Sequence, residues 1–448
     1  MKKIIIATIT VMLIISAAFG GGIVTNTNQS AEFMRTLNRN ATTDVDAAYF
    51  NPAGLTKLED GFHIYLSNQT ILQTREIKAS YPKYNNNTFE GETFAPIFPN
   101  LYFVYKSGKL ALSTGIMPIG GGGSAKFPKG LPSFDYILAK SVGFPASLVN
   151  EALDPYGNIT GYALDASFTG SSIYLGGQVG ASYAINDMLS VAAGFRFISA
   201  KNTYEGSLKN VTLKTDGSLG DITGIVPDIK VDVKRTGSAF TGIVGLNIAP
   251  IEGLNVGFRY EHLAKLVMEN DTKEDGTKGI IDSTGMFPDG AKINADMPSM
   301  IAVGAAYKVM PKLKVEVDFC YYMNTGVNWD WDKPKTSKEE KAEDFVKNGT
   351  EIGVTVEYSL NDALSISTGY LISTSGAKDE YQSDMDYSLN SSTLGLGARY
   401  ALSPSMALSV GFSNTFYKEG KNAALLPVFE EKYMKTAIVG AIGLEYSF

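Results

Sequence analysis

The chain closes with the sequence Ile438-Val439-Gly440-Ala441-Ile442-Gly443-Leu444-Glu445-Tyr446-Ser447-Phe448. Every second position from Ile442 to Phe448 is apolar, whereas the positions between them are small or polar. A strict period of two predicts a β-strand with one face toward an apolar medium and the other toward a polar one. Any half-buried strand can alternate in this way, so the other end of the chain has to be considered with it.

The first twenty residues have the pattern of a secretory signal peptide. Lys2 and Lys3 supply a positive start, Ile4–Ile15 is almost entirely apolar, and Ala18 or Gly20 offers a cleavage site. The apolar run is shorter than the roughly 20 residues of a spanning helix, which favours a signal over residues 1–20 against the alternative of a membrane anchor.

An exported chain that ends on an alternating strand and an aromatic residue is typical of a transmembrane β-barrel in the outer membrane of a Gram-negative bacterium. We therefore expect Phe448 to be recognised by the barrel insertion machinery, and membrane lipid and lipopolysaccharide to surround the barrel. Cys320 is the single cysteine, which excludes an internal disulfide. The net charge of −7 and the lack of a basic stripe predict no nucleic-acid partner.

The body of the chain predicts an all-β fold, an antiparallel barrel of about fourteen strands. Alternation is clearest in the later strands, as where Val315 and Val317 share a face opposite Glu316 and Asp318. The expected strands lie near 61–77, 98–107, 109–118, 167–184, 188–206, 231–249, 253–269, 292–309, 312–329, 346–359, 363–375, 389–402, 405–419 and 433–448.

The connections between these strands alternate strictly between short and long. Turns such as Ser107-Gly108 and Asn361-Asp362 are short, whereas 119–166 and 207–230 are long. Short periplasmic turns, long external loops and an even strand number are expected of bacterial outer-membrane barrels. A soluble β-sandwich has no reason to sort its loops in this way.

A fourteen-stranded barrel is wider than the eight-stranded kind whose side chains fill the interior. Residues 21–60 precede the first strand and lack its alternation, so they are predicted to form a plug, or hatch, inside a barrel of residues 61–448. No cofactor or metal-ligating set is predicted.

The hatch region carries the most specific motif, Asp44-Val45-Asp46-Ala47-Ala48-Tyr49-Phe50-Asn51-Pro52-Ala53-Gly54-Leu55. It resembles the start of the FadL family of outer-membrane long-chain fatty acid and hydrocarbon transporters. At residue level the resemblance covers about 20–55, Met117-Pro118-Ile119-Gly120 and the C-terminus. Elsewhere the chain resembles the family only in its pattern of strands and loops. It implies a fourteen-stranded barrel with an N-terminal hatch.

The resemblance also implies a kinked third strand with a lateral opening beside Asn51, Pro52 and Ala53. Gly115, Pro118 and Gly120 would supply the kink, because proline removes a ladder donor and glycine weakens pairing. Two plainer interpretations stay open. The strand ends at Met117, or the Asn-Pro-Ala stretch is an ordinary loop.

The resemblance implies two further groups of site residues. Basic residues near the ligand correspond to Lys347 and Lys201, although Lys201 shares the outward parity of Phe195 and would need a bulge to face inward. An apolar entry site among the outer loops would use side chains of the loop 119–166, namely Phe127, Phe134, Tyr136 and Phe144. A lumen of structural salt bridges and a self-packed loop core are the respective alternatives.

The favoured function is uptake of hydrophobic small molecules, such as long-chain fatty acids or hydrocarbons, by passive lateral diffusion through the barrel wall. A surface adhesin or structural barrel is the alternative, and a general porin is disfavoured by the hatch. An enzyme is not expected, because His63 and His262 are the only histidines and neither has a nucleophile or metal-ligand set around it.

Overall fold

The structure is a computed structural model that describes residues 23, 30–80, 86–141, 159–224, 226–279, 283, 285–330, 341–422 and 430–448. The predicted signal peptide lies outside these residues. Within them no helix is long and apolar enough to cross a membrane.

Strands dominate the fold. In chain order they are β1 (Gly61–Ala79), β2 (Thr88–Ser107), β3 (Leu110–Phe127), β4 (Ile159–Ala184), β5 (Leu189–Thr215), β6 (Ile222–Thr223), β7 (Ile229–Ile248), β8 (Leu254–Glu261), β9 (Val267–Asp275), β10 (Lys292–Asn294), β11 (Met300–Met310), β12 (Leu313–Tyr322), β13 (Gly349–Ser359), β14 (Leu364–Thr374), β15 (Ser391–Ser403), β16 (Met406–Tyr417), β17 (Gly420–Lys421) and β18 (Glu431–Ser447). The helices are α1 (Ala31–Thr36), α2 (Ala47–Phe50), α3 (Pro132–Ser141) and α4 (Ala342–Phe345), with 3₁₀ helices at Pro52–Lys57 and Asn324–Gly326.

These strands close into an antiparallel barrel of fourteen wall strands, which confirms the predicted fold class. Closure comes from β1, which pairs with β2 on one side and with β18 on the other, in a register that joins His63 to Ser447. Segments β8 and β9 make up one wall strand and β10 and β11 another, because each pair continues along the same neighbour. Segments β6 and β17 are short additions at the outer rim.

Several predicted bounds were wrong. β2 begins at Thr88 instead of 98 and β4 at Ile159 instead of 167, because the wall there extends outward beyond the strictly alternating stretch. β3 does not end at Met117 but continues to Phe127. β12 ends at Tyr322, where a 3₁₀ helix follows, and not at 329.

The outward faces of the wall strands carry large apolar side chains at alternate positions. In β18 these are Ile438, Ile442, Leu444 and Tyr446, and in β13 they are Ile352, Val354 and Val356. An exposed apolar surface of this kind is stable when hydrocarbon surrounds it. Apart from Val439, the inward positions between them are small or polar, as the alternation predicted.

Residues 30–58, called here the lumen segment, lie inside the barrel. Every residue from Ser30 to Thr56 is buried except Thr43 and Asp44, which are half-buried. Its helix α1 packs against β14–β16 and β18, and its 3₁₀ helix packs against β4, β5 and β7 on the opposite side. The segment therefore crosses the lumen from wall to wall.

Wall carboxylates and a set of close-packed glycines hold this segment. Asp318 Oδ2 accepts hydrogen bonds from the backbone N–H groups of Arg39 (2.7 Å) and Asn40 (2.8 Å). Where the segment passes β8 and β13–β16, the inward wall residues include glycines whose Cβ would collide with it, among them Gly257, Gly353, Gly369, Gly397 and Gly411. Buried charged hydrogen bonds are among the strong ones, so the contact is specific and tight.

Candidate functional site

The barrel wall is interrupted between β2 and β3. Their pairing runs from Ser107 and Leu110 up to Leu101 and Ile116, and resumes only at Thr93 and Ala125. Residues 94–100 and 117–124 therefore have no partner across this edge. Ile97 within the unpaired stretch and Ile116 at its edge are exposed on the outer face. The gap thus opens between the lumen and the lipid-facing surface.

On the β3 side the gap arises from two bulges. The register with β4 slips between Pro118 and Gly120 and again between Gly121 and Gly123, leaving Ile119 and Gly122 as extra residues. Gly121 and Gly123 both have φ of +84°, a conformation that favours glycine. The third strand is therefore kinked, whereas Gly115 pairs regularly with Tyr102 and Gln178 below the break.

On the β2 side the polar groups of the gap are satisfied locally. The carbonyl oxygen of Pro96 accepts hydrogen bonds from Asn68 Nδ2 and Thr70 Oγ1, both at 3.0 Å, and the Phe98 N–H donates to Asn68 Oδ1 at 2.9 Å. Pro96 and Pro99 have no N–H to leave unpaired. These contacts lower the cost of an open wall at membrane depth, where an unpaired backbone group is expensive.

A cavity of about 310 Å³ lies in the lumen against this gap. Gly120–Gly123, Phe98 and Ile71 form its side toward the gap. Farther from the gap its wall includes Gln73, Arg75, Tyr204, Asp386, Tyr417 and Lys435. The cavity therefore joins the wall opening, where apolar side chains are mixed with polar ones such as Gln69 and Ser172, to a charged end deeper in the lumen.

Below the kink the lumen segment presents Tyr49. Its ring lies between two guanidinium groups, with Arg196 Cζ and Arg259 Cζ each 4.7 Å from the ring centroid. Both arginines pair with Glu261, at 2.7 and 3.2 Å. Tyr49 also lines a small cavity with Ile119, the first bulge residue. The residues that meet the kink are thus those of α2, just before the Asn-Pro-Ala motif.

The Asn51-Pro52-Ala53 motif itself contacts β4 and β7. Asn51 Nδ2 donates to the Thr42 carbonyl (2.9 Å) and to Asn247 Oδ1 (2.7 Å), and the Pro52 carbonyl accepts from Ser182 Oγ (2.6 Å). Ala53 is fully buried where the 3₁₀ helix passes β4 and β7. The opening was expected beside Asn51, Pro52 and Ala53, but Asn68 and Thr70 bind the backbone groups of the gap, and Asn51 braces the lumen segment.

An apolar cluster lies at the outer end of the barrel, beside α3. Phe134 packs edge-on against Phe168 with centroids 5.9 Å apart, and Phe127, Leu208 and Phe287 belong to the same buried cluster. The Tyr136 side chain and Phe144 lie outside the described part of the chain. Phe127 and Phe134 therefore lie in one buried, packed cluster.

The two predicted ligand lysines lie elsewhere. Lys201 is exposed on the outer face of β5, where its pairing with Ile173 and Thr236 is regular, so no bulge turns it inward. Lys347 is exposed in the connection before β13. Neither lines the cavity. Arg75 and Lys435 do line the cavity, and sequence reasoning missed them. Their inward parity in the first and last strands, which are neighbours in any closed barrel, is the signal that could have found them.

Comparison with known proteins decides the family. The family model described as outer membrane protein transport protein (OMPP1/FadL/TodX) matches residues 161–448, which is more than half of the chain. The chain belongs to this family. As an OMPP1/FadL/TodX protein it is an outer-membrane transporter of hydrophobic compounds and not an enzyme, as predicted.

Solved structures agree with this OMPP1/FadL/TodX assignment in fold. A Pseudomonas aeruginosa FadL homologue superposes with a TM-score of 0.65 at 14% identity, covering 96% of this chain and 100% of that one. The Ralstonia pickettii toluene transporter TbuX gives 0.57 at 14% identity, covering 94% and 99%. The P. putida toluene transporter TodX gives 0.58 at 12% identity, covering 96% and 99%. No curated protein matches the sequence.

Proposed function

We propose that this protein takes up hydrophobic small molecules through its lumen cavity and releases them sideways into the bilayer between β2 and β3. The observation that carries the proposal is the unpaired stretch of both strands beside the cavity, with Gly120–Gly123 forming part of the cavity wall. Toluene transport by TbuX and TodX is consistent with a hydrophobic cargo.

The physical advantage of this route lies in partitioning. Each methylene group that leaves water gains about 0.8 kcal/mol, so a lipid-like molecule prefers the bilayer interior to the periplasm. Its obstacle is the polar outer layer of the membrane. An apolar path that opens through the wall below that layer lets the molecule reach hydrocarbon without crossing the polar layer.

We propose that the substrate first binds the protein at the outer cluster around Phe134 and that the lumen segment is the hatch. The segment fills the barrel across its width, which speaks against a general diffusion porin. No described feature specifically favours an adhesin. Lipopolysaccharide around the outward face of the barrel and the insertion machinery at Phe448 stay proposed partners.

Gly122 offers the sharpest test of the lateral route. It lines the cavity, has an ordinary φ, and a Cβ placed on it would meet nothing within 4 Å. Gly122→Trp should therefore fill the opening without straining the strand and should abolish uptake of both a labelled long-chain fatty acid and toluene by intact cells. Gly120 is less suitable, because a Cβ there would lie 3.2 Å from the Tyr174 ring.

Gly242→Trp is the matched control. Gly242 lies on the outer face of β7, and its Cβ position is equally open. This variant should transport normally, and both variants should keep the heat-modifiable migration of a folded barrel. Normal uptake by folded Gly122→Trp would refute the lateral route.

A further inference from the structure

An exposed basic patch covers the outward faces of β5, β7 and the residues just before β9. It consists of Lys201, Lys234 and Lys265, and Lys201 is the lysine that the family resemblance had placed at the ligand. Among the described side chains, none of these three forms an ion pair. The carboxylates nearby are engaged by other lysines, in the pairs Lys230–Glu274, Lys273–Asp232 and Lys292–Glu269, at 2.8, 3.6 and 3.7 Å. The patch therefore presents ammonium groups that no described carboxylate neutralises by direct contact.

Two of these lysines are diagonal neighbours on the sheet. Lys201 pairs with Thr236 in the register of β5 and β7, and Lys234 lies two residues farther out on β7. Diagonal neighbours on one face lie about 7–8 Å apart. Asp271 of β9 is opposite Lys234, but none of the described ion pairs joins the two. A phosphate group fits between two such ammonium groups, and the hydroxyl of exposed Thr236 can donate to the same anion.

The patch lies just above the apolar belt of the barrel. Four residues below Lys201, the exposed rings of Phe197 and Phe240 lie with their centroids 5.1 Å apart, and aromatic residues of this kind mark the membrane interface. Lys201 is twelve residues from Leu189, where β5 begins. At about 3.3 Å per residue and a tilt of 35–45°, this is a height of about 28–32 Å, beyond an apolar band of about 25 Å. The lysines therefore reach the headgroup layer of the outer leaflet.

The side of the barrel that holds the lateral gap differs in charge. On the outward faces of β1 and β2, Glu76 and Glu90 are direct partners in the register, and Glu92 follows on the same face. Lys78 lies 2.8 Å from Glu76, and Lys126 of β3 pairs with Glu92 in the register. These two lysines thus face carboxylates. An anionic headgroup is therefore attracted to the side of β5, β7 and β9 and not to the side of the gap.

We infer that Lys201, Lys234 and Lys265 bind the phosphorylated headgroup of a lipopolysaccharide molecule, whose acyl chains lie along Phe197 and Phe240. This inference rests on the proposed contact with lipopolysaccharide and names the residues that make it. Lysine binds phosphate as a point charge, and the patch offers several such charges at the height of the headgroups. The bound molecule covers the tall side of the barrel and leaves the gap between β2 and β3 facing lipid.

The test titrates the intact protein in detergent micelles with purified lipid A and with the same lipid A after its phosphates have been removed. EDTA is present so that no divalent cation bridges the two, and native mass spectrometry counts the bound lipid. The wild type should bind the phosphorylated form more tightly. The variant Lys201→Gln/Lys234→Gln/Lys265→Gln should lose about a hundredfold in affinity for it, since each lysine near an anionic headgroup contributes about fivefold. Its affinity for the dephosphorylated form should not change.

The matched control is Lys109→Gln/Lys308→Gln/Lys312→Gln, which removes the same charge from exposed lysines at the periplasmic end and should bind as wild type. Equal affinity of the wild type for both forms of lipid A, or wild-type affinity in the patch variant, would overturn the site. Displacement of lipid A by an equal concentration of inorganic phosphate would show a site for free phosphate instead. The patch variant should keep normal toluene uptake, so the lateral route is judged separately by Gly122→Trp.

Discussion

The carbonyl oxygen of Thr36 in the lumen segment lies so close to Gly369 of β14 that a Cβ on the glycine would be 1.8 Å from it. The wall and the segment therefore touch backbone to backbone. A methyl group at this position has no room, and either the segment or the strand has to move. Because the strand is hydrogen-bonded on both sides, we expect the segment to move.

Gly369→Ala should loosen the lumen segment while the barrel stays folded. Overpacking of this kind costs about 1–3 kcal/mol. Single-channel recordings should show larger or more frequent conductance to small ions, and limited proteolysis should cut residues 30–58 more readily. Gly242→Ala, with open space around its Cβ, is the control. Conductance equal to that of wild type in a folded Gly369→Ala barrel would show that the segment does not seal the lumen.

Docking of α3 at the outer rim should depend on pH. Burial raises the pKa of Asp135 to about 7, and burial also raises the pKa of Asp384, which accepts a hydrogen bond from the Ser133 N–H at 2.7 Å. Docking is fully stabilised below the free carboxyl's pKa of about 4, where the carboxyl is protonated in both states. Because the pKa is raised in the docked state, that stabilisation is lost as the pH rises to about 7. The free energy that holds α3 in place should therefore fall by up to about 4 kcal/mol between pH 4 and pH 7. Proteolysis of the loop around α3 should become faster over the same pH range.

Asp135→Asn tests the cause of that pH dependence. An amide of the same shape does not titrate, so this variant should reduce the change in proteolysis rate between pH 4 and pH 7 to the part that Asp384 contributes. Asp362→Asn, in an exposed turn at the other end of the barrel, should leave the profile unchanged. A wild-type profile that is flat from pH 4 to pH 7 would contradict the prediction.

Phe448 should matter more for assembly than for the stability of the finished barrel. Its ring stacks on Phe62 at 5.5 Å and on Tyr446 at 5.4 Å, contacts worth about 0.5–1.5 kcal/mol each. Phe448→Ala should therefore lower the melting temperature only slightly but reduce the amount of protein assembled in the outer membrane. Phe416→Ala, an equally exposed aromatic of β16, should assemble normally. Equal assembly of the two variants would exclude recognition of the terminal aromatic residue.

The fold could be predicted because its signals are local and repetitive. The alternation in β12, β13 and β18 reports the two media on either side of the wall. The outer halves of β2 and β4 were not predicted, because beyond the membrane the outward face carries polar residues such as Glu90 and Glu92. The apolar face there is the inward one, which is buried in the cluster that holds Phe89 and Phe168. The end of β12 was missed because apolar residues recur after Tyr322, at Met323, Val327 and Trp329, although a 3₁₀ helix at Asn324–Gly326 follows the strand.

The site could be predicted only in part. Pro118 and Gly120 lie at a register shift of β3, and a local pattern can indicate such a place because proline and glycine act on their own strand. The partners across the break, Asn68 and Pro96, were not foreseen, since their role depends on a register that no local pattern encodes. The same holds for Arg75 and Lys435, which lie 360 residues apart and meet only because the barrel closes.

The length of β4 and β5 has a mechanical consequence. They contain 26 and 27 residues, roughly 85–90 Å of extended chain, and at a tilt of 35–45° this is far taller than an apolar band of about 25 Å. The opposite side of the barrel, with 10 to 13 residues in β12–β16, is low. The rim is therefore slanted, and its high side is packed from within by the aromatic cluster around Phe134. A molecule arriving from the medium meets this high side before it reaches the lipid surface, and we expect loss of the aromatic packing around Phe134 to change the shape of the rim.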